Sequence, residues 1–213
     1  MRTNVYVEGF NLYYGCLKGS PFKWLDLVSF CRRLLPPEKN QLQRVRYFTA
    51  KVSARAGRPQ GPVRQSAYLR ALGTLPQVTV HLGHFLASTT RMPLANPTPG
   101  GPKTVEVIKT EEKGSDVNLA THLLVDAFRG DADAFVVISN DSDLKEPMRV
   151  VRHDLGYVVG ILNPHPPRKR SRALLECSPT FFKQIRASAL RTSQLPDRIY
   201  DEANRVIHKP AGW

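Results

Sequence analysis

Two short stretches constrain this chain most. Ala134-Phe135-Val136-Val137-Ile138 and Tyr157-Val158-Val159-Gly160-Ile161-Leu162 are continuous apolar runs without polar alternation. A strand with one wet face alternates. A strand that is apolar throughout is covered on both faces, as in a parallel sheet lying between helices. Between the two runs, residues 144–155 have helical spacing and Gly156 stands where a helix would end.

The rest of the chain fits that frame. Val5-Tyr6-Val7-Glu8 reads as a strand ended by Gly9. The spacing predicts further strands over 44–52 and 78–82, the latter extending toward Phe85, and an edge strand over 104–110. Helices are predicted over 24–35, 62–72, 115–129 and 178–190, with Ser115 as an N-cap and Gly130 as a stop. Residues 92–103 are rich in Pro and Gly and read as a loop. Strands and helices alternating with short connections define an α/β fold, a three-layer α/β/α arrangement with a mainly parallel central sheet. The expected organisation is one domain over residues 1–190 and a polar C-terminal tail over 191–213.

Composition narrows the functional class. Thirty-one Lys and Arg against eighteen Asp and Glu leave a net charge of +13. A surface this basic points to polyanions, nucleic acid before an anionic membrane surface or an acidic protein. No apolar run approaches the ~20 residues of a membrane helix, so an integral membrane protein is not expected. Cys16, Cys31 and Cys177 are far apart and odd in number, which suits neither a disulfide framework nor a zinc site, and the expected compartment is the reducing cytoplasm.

The charges come in blocks. No acid occurs over residues 39–105, which carry Lys39, Arg44, Arg46, Lys51, Arg55, Arg58, Arg64, Arg70, Arg91 and Lys103. Eleven acids fall over residues 106–154. Residues 163–191 are basic again, with Arg168, Lys169 and Arg170 in a row and Glu176 as the lone acid. Folded together, these blocks place an acidic centre beside basic flanks.

Ligands of parallel sheets bind outside the carboxyl ends of the strands. Glu8 ends the first strand, Asp141 and Asp143 follow the run that ends at Ile138, and Asp116 opens a predicted helix. Crowded carboxylates repel unless a cation neutralises them, and an all-oxygen set suits Mg²⁺ or Mn²⁺ better than zinc. Such an ion activates water or stabilises charge on a phosphoryl oxygen. Taken singly, Asp116 is equally a helix-start acid and Asp141 and Asp143 equally turn formers. The chain has no Gly-rich phosphate loop, and Asp141-Ser142-Asp143 lacks the offsets of a calcium loop. His81, His84 and His122 read as structural histidines, since His122 lies about 240° round its helix from Asp116.

Three blocks, residues 5–13 (VYVEGFNLY), 113–120 (KGSDVNLA) and 137–144 (VISNDSDL), resemble the signature blocks of bacterial NYN domains, members of the PIN-like nuclease superfamily. The resemblance spans most of residues 1–190. It implies a PIN-like sheet, bound Mg²⁺ or Mn²⁺ and hydrolysis of RNA phosphodiesters to a 5′-phosphate and a 3′-hydroxyl. By motif it assigns Glu8, Asp116, Asp141 and Asp143 as catalytic and metal-holding acids, with Asn11 and Ser139 as polar neighbours. Asn11, Ser139, Asn140, Arg168, Lys169 and Arg170 are the expected substrate-binding residues. The family normally carries Asp where this chain has Glu8. The added methylene must reach farther or fold back, which leaves two readings: a metal-dependent endoribonuclease, weakened or readjusted at Glu8, and an RNA-binding module that keeps the fold without catalysis. A glycosyltransferase using the Asp-Ser-Asp segment explains neither Glu8, Asp116 nor the basic excess. The sequence fixes no oligomeric state.

Overall fold

The computed structural model describes residues 1–54 and 59–213; Arg55 and Arg58 of the basic block lie outside the described residues. The chain runs β1 (Arg2–Glu8), α1 (Gly9–Leu12) continuing into a π turn (Tyr13–Leu17), α2 (Leu27–Leu34), β2 (Gln41–Ala50), α3 (Gly61–Gly73), β3 (Val78–Pro93) and β4 (Thr104–Lys113). It continues with α4 (Ser115–Phe128), β5 (Ala134–Ile138), α5 (Lys145–Arg149), β6 (Val158–Asn163), α6 (Arg172–Glu176), β7 (Phe181–Gln184), α7 (Ala187–Arg191), β8 (Arg198–Tyr200) and β9 (Val206–His208).

β1 to β7 form one seven-stranded sheet in the order β4-β3-β2-β1-β5-β6-β7, parallel throughout except for the β3–β4 pair. Successive side chains of a strand face opposite ways, so two separate cores form. Val5, Val7, Val136 and Ile138 pack with Leu12, Phe30, Leu72 and Leu190 on the α1, α2, α3 and α7 side. Tyr6, Phe135, Val137 and Val159 pack with Leu119, Leu123, Met148 and Leu174 under α4, α5 and α6. Every residue of β5 is buried, which is why that strand reads as a continuous apolar run.

The strand order fixes where a site can be. From β1 the chain winds outward through β2 to β4, then returns to place β5 on β1's other side and winds outward again. Between β1 and β5 the winding reverses, and the carboxyl ends there open a crevice. Val7 pairs with Ile138, so Glu8 and Ser139 leave the sheet side by side.

Several expectations need correction. The helix predicted over 178–190 is two elements: Phe181–Gln184 pairs in parallel with β6 as a seventh strand, and only Ala187–Arg191 is helical. Helix 144–155 is broken into a 3-10 turn at Ser142–Leu144, α5 and a π turn at Val150–Asp154; Pro147 has no N–H to donate to the preceding turn. The strand through Phe85 continues to Pro93, pairing with β4 over ten positions. Ser115 is not the N-cap. Gly114 takes that place at φ 92°, and Ser115 lies inside the helix, its N–H and hydroxyl both donating to Glu112. Residues 196–213 carry the β8–β9 hairpin, with Ile207 buried and the Trp213 ring 6.4 Å from Trp24 and 5.8 Å from Tyr68.

Beneath α4 lies a buried ion pair. Asp126, its side chain 1% exposed, accepts from Arg46 Nε and Nη2 and from the Tyr6 hydroxyl, each at 2.8 Å. Burial pushes the Asp126 carboxyl up, but the bonds from Arg46 and Tyr6 outweigh it and hold it low. Asp126→Ala would leave a largely buried guanidinium without its partner. It is expected to lower stability by about 3–5 kcal/mol in denaturant unfolding; a loss under about 1 kcal/mol would show that water already screens the pair.

Candidate active site

Glu8 is only 9% exposed at the end of β1. The Ser139 hydroxyl donates a short hydrogen bond to Glu8 Oε2 and accepts from the Asp141 N–H at 2.9 Å. One hydroxyl thus ties the β1 carboxylate to the turn after β5. Asn11, on the first turn of α1, bonds to the Glu8 carboxyl and accepts from the Asn140 N–H through Oδ1 at 3.0 Å. Asp141 Oδ1 accepts from the Asp143 N–H at 3.1 Å and so caps the 3-10 turn.

The electrostatics identify which acids share the space. Burial pushes the Glu8 carboxyl up to about 7; the Ser139 and Asn11 bonds oppose this, and the charges of Asp141 and Asp116 add to it. Asp141 and Asp116 thus lie near enough for their charges to be felt at Glu8, while Ser139 and Asn11 bond to it directly. Asp143 is exposed, and its backbone serves the turn. Among the described residues no three His, Cys, Asp or Glu side chains stand close enough to hold a metal ion. The donor chemistry nevertheless fits a hard divalent cation: Glu8 is raised chiefly by burial and further by the charges of Asp141 and Asp116, and such an ion offsets both.

Asn140 joins the acidic turn to the basic segment. Its side-chain amide donates to Lys169 O at 2.8 Å and its carbonyl oxygen accepts from the Ser171 N–H at 2.7 Å. Both ends of the side chain clamp the basic segment beside the acidic turn. Arg168 and Lys169 are exposed there, and the Arg170 guanidinium lies 4.4 Å from the Phe182 ring centre.

The acid-free segment contributes less free charge than its sequence suggests. Arg44 pairs with Asp131 at 3.2 Å, Arg46 with Asp126, and Arg70 with Asp201 at 3.3 Å. Lys51, Arg91 and Lys103 remain exposed. His122 packs on His81 with ring centres 4.1 Å apart and on Phe48 at 5.8 Å. Burial, then the neighbouring His122 and Arg46, push His81 down to about 4.

Sequence reasoning missed α1, which carries Asn11, because Gly9 read only as a strand stop. The pairs Leu12/Cys16 and Tyr13/Leu17, each four apart, were the available signal. Glu112 was also missed as the acceptor that fixes the start of α4.

The mainly parallel sheet, with Glu8 and Ser139 side by side at its winding reversal, is of the three-layer α/β/α kind. The NYN domain family model matches residues 2–186, and the chain belongs to that family of PIN-like nuclease-type domains. It is 30% identical over 237 aligned residues to 6-hydroxy-3-succinoylpyridine 3-monooxygenase HspA of Pseudomonas putida, covering 100% of this chain and 75% of that protein. A crystal structure of a Vibrio parahaemolyticus protein of unknown function superposes with a TM-score of 0.53 at 18% identity, over 87% of this chain and 93% of that one, a likeness of fold alone.

Proposed function

We propose that this protein is a metal-dependent endoribonuclease whose centre is Glu8, Asp116 and Asp141, with Asp143 at its rim. The observation that carries this reading is the hydrogen-bonded junction at the carboxyl ends of β1 and β5, where Ser139 ties the buried Glu8 carboxyl to the Asp141 N–H and the charges of Asp141 and Asp116 reach Glu8. Bound Mg²⁺ or Mn²⁺ would neutralise the carboxylates and polarise the phosphodiester. The chain's own residues do the rest. Glu8, Asp116 and Asp141 supply oxygens, Ser139 and Asn11 orient Glu8, and Asn140 holds Arg168, Lys169 and Arg170 where they meet the RNA backbone. Residues 1–190 form the catalytic unit, with 191–213 docked through Ile207 and Trp213. Among the described residues no helix is long and apolar enough to cross a membrane, and we place the activity in the cytoplasm.

The test is cleavage of labelled single-stranded RNA in Mg²⁺ and in Mn²⁺, with RNA affinity followed against salt. Each phosphate contact contributes a log–log slope of about −0.7 on single strands. Replacing Arg168, Lys169 and Arg170 with Ala is expected to flatten the slope by roughly two units. An unchanged slope would remove that segment from the substrate path. Binding without cleavage would favour the RNA-binding module. A second reading, oxidation of a hydroxylated pyridine, is favoured by the relative aligned over the whole chain. Turnover of 6-hydroxy-3-succinoylpyridine, with no action on RNA, would establish it in place of the first.

A further inference from the structure

α1 and its π turn lead directly out of Glu8, and their contacts fix what that helix shows to solvent. The Phe10 ring meets Phe85 of β3 edge-on at 5.7 Å. Asn11 bonds to the Asn140 N–H. Gly15 presses on the loop after β6, where a Cβ would lie 2.8 Å from Pro164 Cβ and 3.0 Å from His165 Cδ2. At about 100° per residue, Tyr14 falls between Phe10 and Asn11 on the helix circumference. It therefore stands one turn beyond Asn11, on the side of the helix between the Phe10 contact with β3 and the Asn11 bond to the turn after β5.

Tyr14 is 54% exposed. The Tyr13 ring abuts it at 5.3 Å and 82°, and Lys18 Nζ lies 4.9 Å from its ring centre. Single exposed aromatic side chains are common. This one has a cation beside it and stands on a helix bonded to the catalytic turn. An aromatic face next to an ammonium group is what a single-stranded nucleic acid uses, the ring for a base and the cation for the adjoining phosphate.

We propose that Tyr14 and Lys18 form a subsite for one nucleotide of single-stranded RNA next to the cleaved bond. The base stacks on the Tyr14 face that Lys18 now covers, displacing a cation–ring contact that is weak at an exposed position. The freed ammonium turns to the phosphate of the same nucleotide. The subsite rests on the ribonuclease reading above. It predicts preference by base stacking strength rather than by hydrogen-bond pattern, because every base has a π face.

The test is a cycle between protein ring and RNA base. The full chain, Tyr14→Ala and Tyr14→Phe are titrated in EDTA with a labelled short single-stranded RNA, and with the same RNA made abasic at one position at a time. The full chain is expected to bind one of the abasic RNAs about fivefold to a hundredfold more weakly than the intact RNA. Tyr14→Ala should lose a similar factor on intact RNA and no longer distinguish that abasic RNA. Tyr14→Phe should behave as the full chain does, and all three should unfold alike. If Tyr14→Ala discriminates against every abasic RNA as strongly as the full chain, the subsite is wrong while the ribonuclease reading stands. If the full chain binds no RNA in EDTA, the subsite falls, and the ribonuclease reading falls with it only if RNA is also left uncut in Mg²⁺ and in Mn²⁺.

Discussion

Asp141→Asn is expected to lower metal-dependent RNA cleavage by at least about a hundredfold while the metal-free protein is no less stable than before. Even removal of groups that merely support a metal ligand reduces affinity or activity 10–100-fold, and Asp141 is a proposed ligand. The structure explains why the fold should survive. Asp141 Oδ1 accepts from the Asp143 N–H, and Asn keeps an oxygen in that position. The substitution also removes one of the two charges that raise Glu8, so the Glu8 pKa should fall toward its ordinary value. Single-turnover cleavage and Mn²⁺ titration of the two proteins check this directly. Undiminished Mn²⁺ affinity would take Asp141 out of the centre.

The second large effect concerns pH. The Glu8 carboxyl stands at about 7 in the folded protein, chiefly because it is buried, against an ordinary value of 4.5. Between these pH values the folded state holds a proton that the unfolded chain has released. The contribution is fully present below about 4.5 and is lost as pH rises through about 7. In buffer free of divalent ions, stability should fall across that window by an amount on the order of 3 kcal/mol. Glu8→Gln carries no proton to lose, so its stability curve should lack this slope and lie above that of the unaltered chain at neutral pH. Mn²⁺ should recover the deficit in the unaltered chain and not in Glu8→Gln. Denaturant unfolding at a series of pH values, with and without Mn²⁺, makes the comparison. Equal slopes for the two proteins would mean that Glu8 reaches solvent more freely than its 9% exposure implies.

The sheet was legible where burial left a mark on composition. β5 and β6 are covered on both faces and contain little that is polar, so their runs stood out. The positions of Glu8 and Asp141 on the fold could be read for a related reason, since Glu8 is the last residue of such a strand and Asp141 lies three past the end of another. What stayed hidden depends on partners far along the chain. β7 has four residues and earns its strand geometry from β6, not from its own pattern. β8 and β9 have three residues each and are held by one another and by the core at Ile207. Arg46 reads as a free cation because Asp126 is 80 residues away. The Asn140 clamp was hidden for the same reason, since Lys169 and Ser171, which bond to the two ends of its amide, lie 29 and 31 residues on.

The position of β1 also governs how the molecule comes into being. Of the seven strands of the sheet it is made first, yet its two neighbours are β2 and β5, and the Ser139 that grips Glu8 lies 131 residues later. Chains emerge from the ribosome at about 5–20 residues per second, and long-range pairing must wait for its partner. A nascent chain can lay β2 to β4 beside β1 early, but β1 keeps one open edge until β5 appears. Until then Glu8 has neither Ser139 nor Asp141 beside it. Glu8 therefore meets Ser139 and Asp141 only once the residues through β5 and the turn after it have been made, so a translation fragment that stops before residue 139 leaves Glu8 without either.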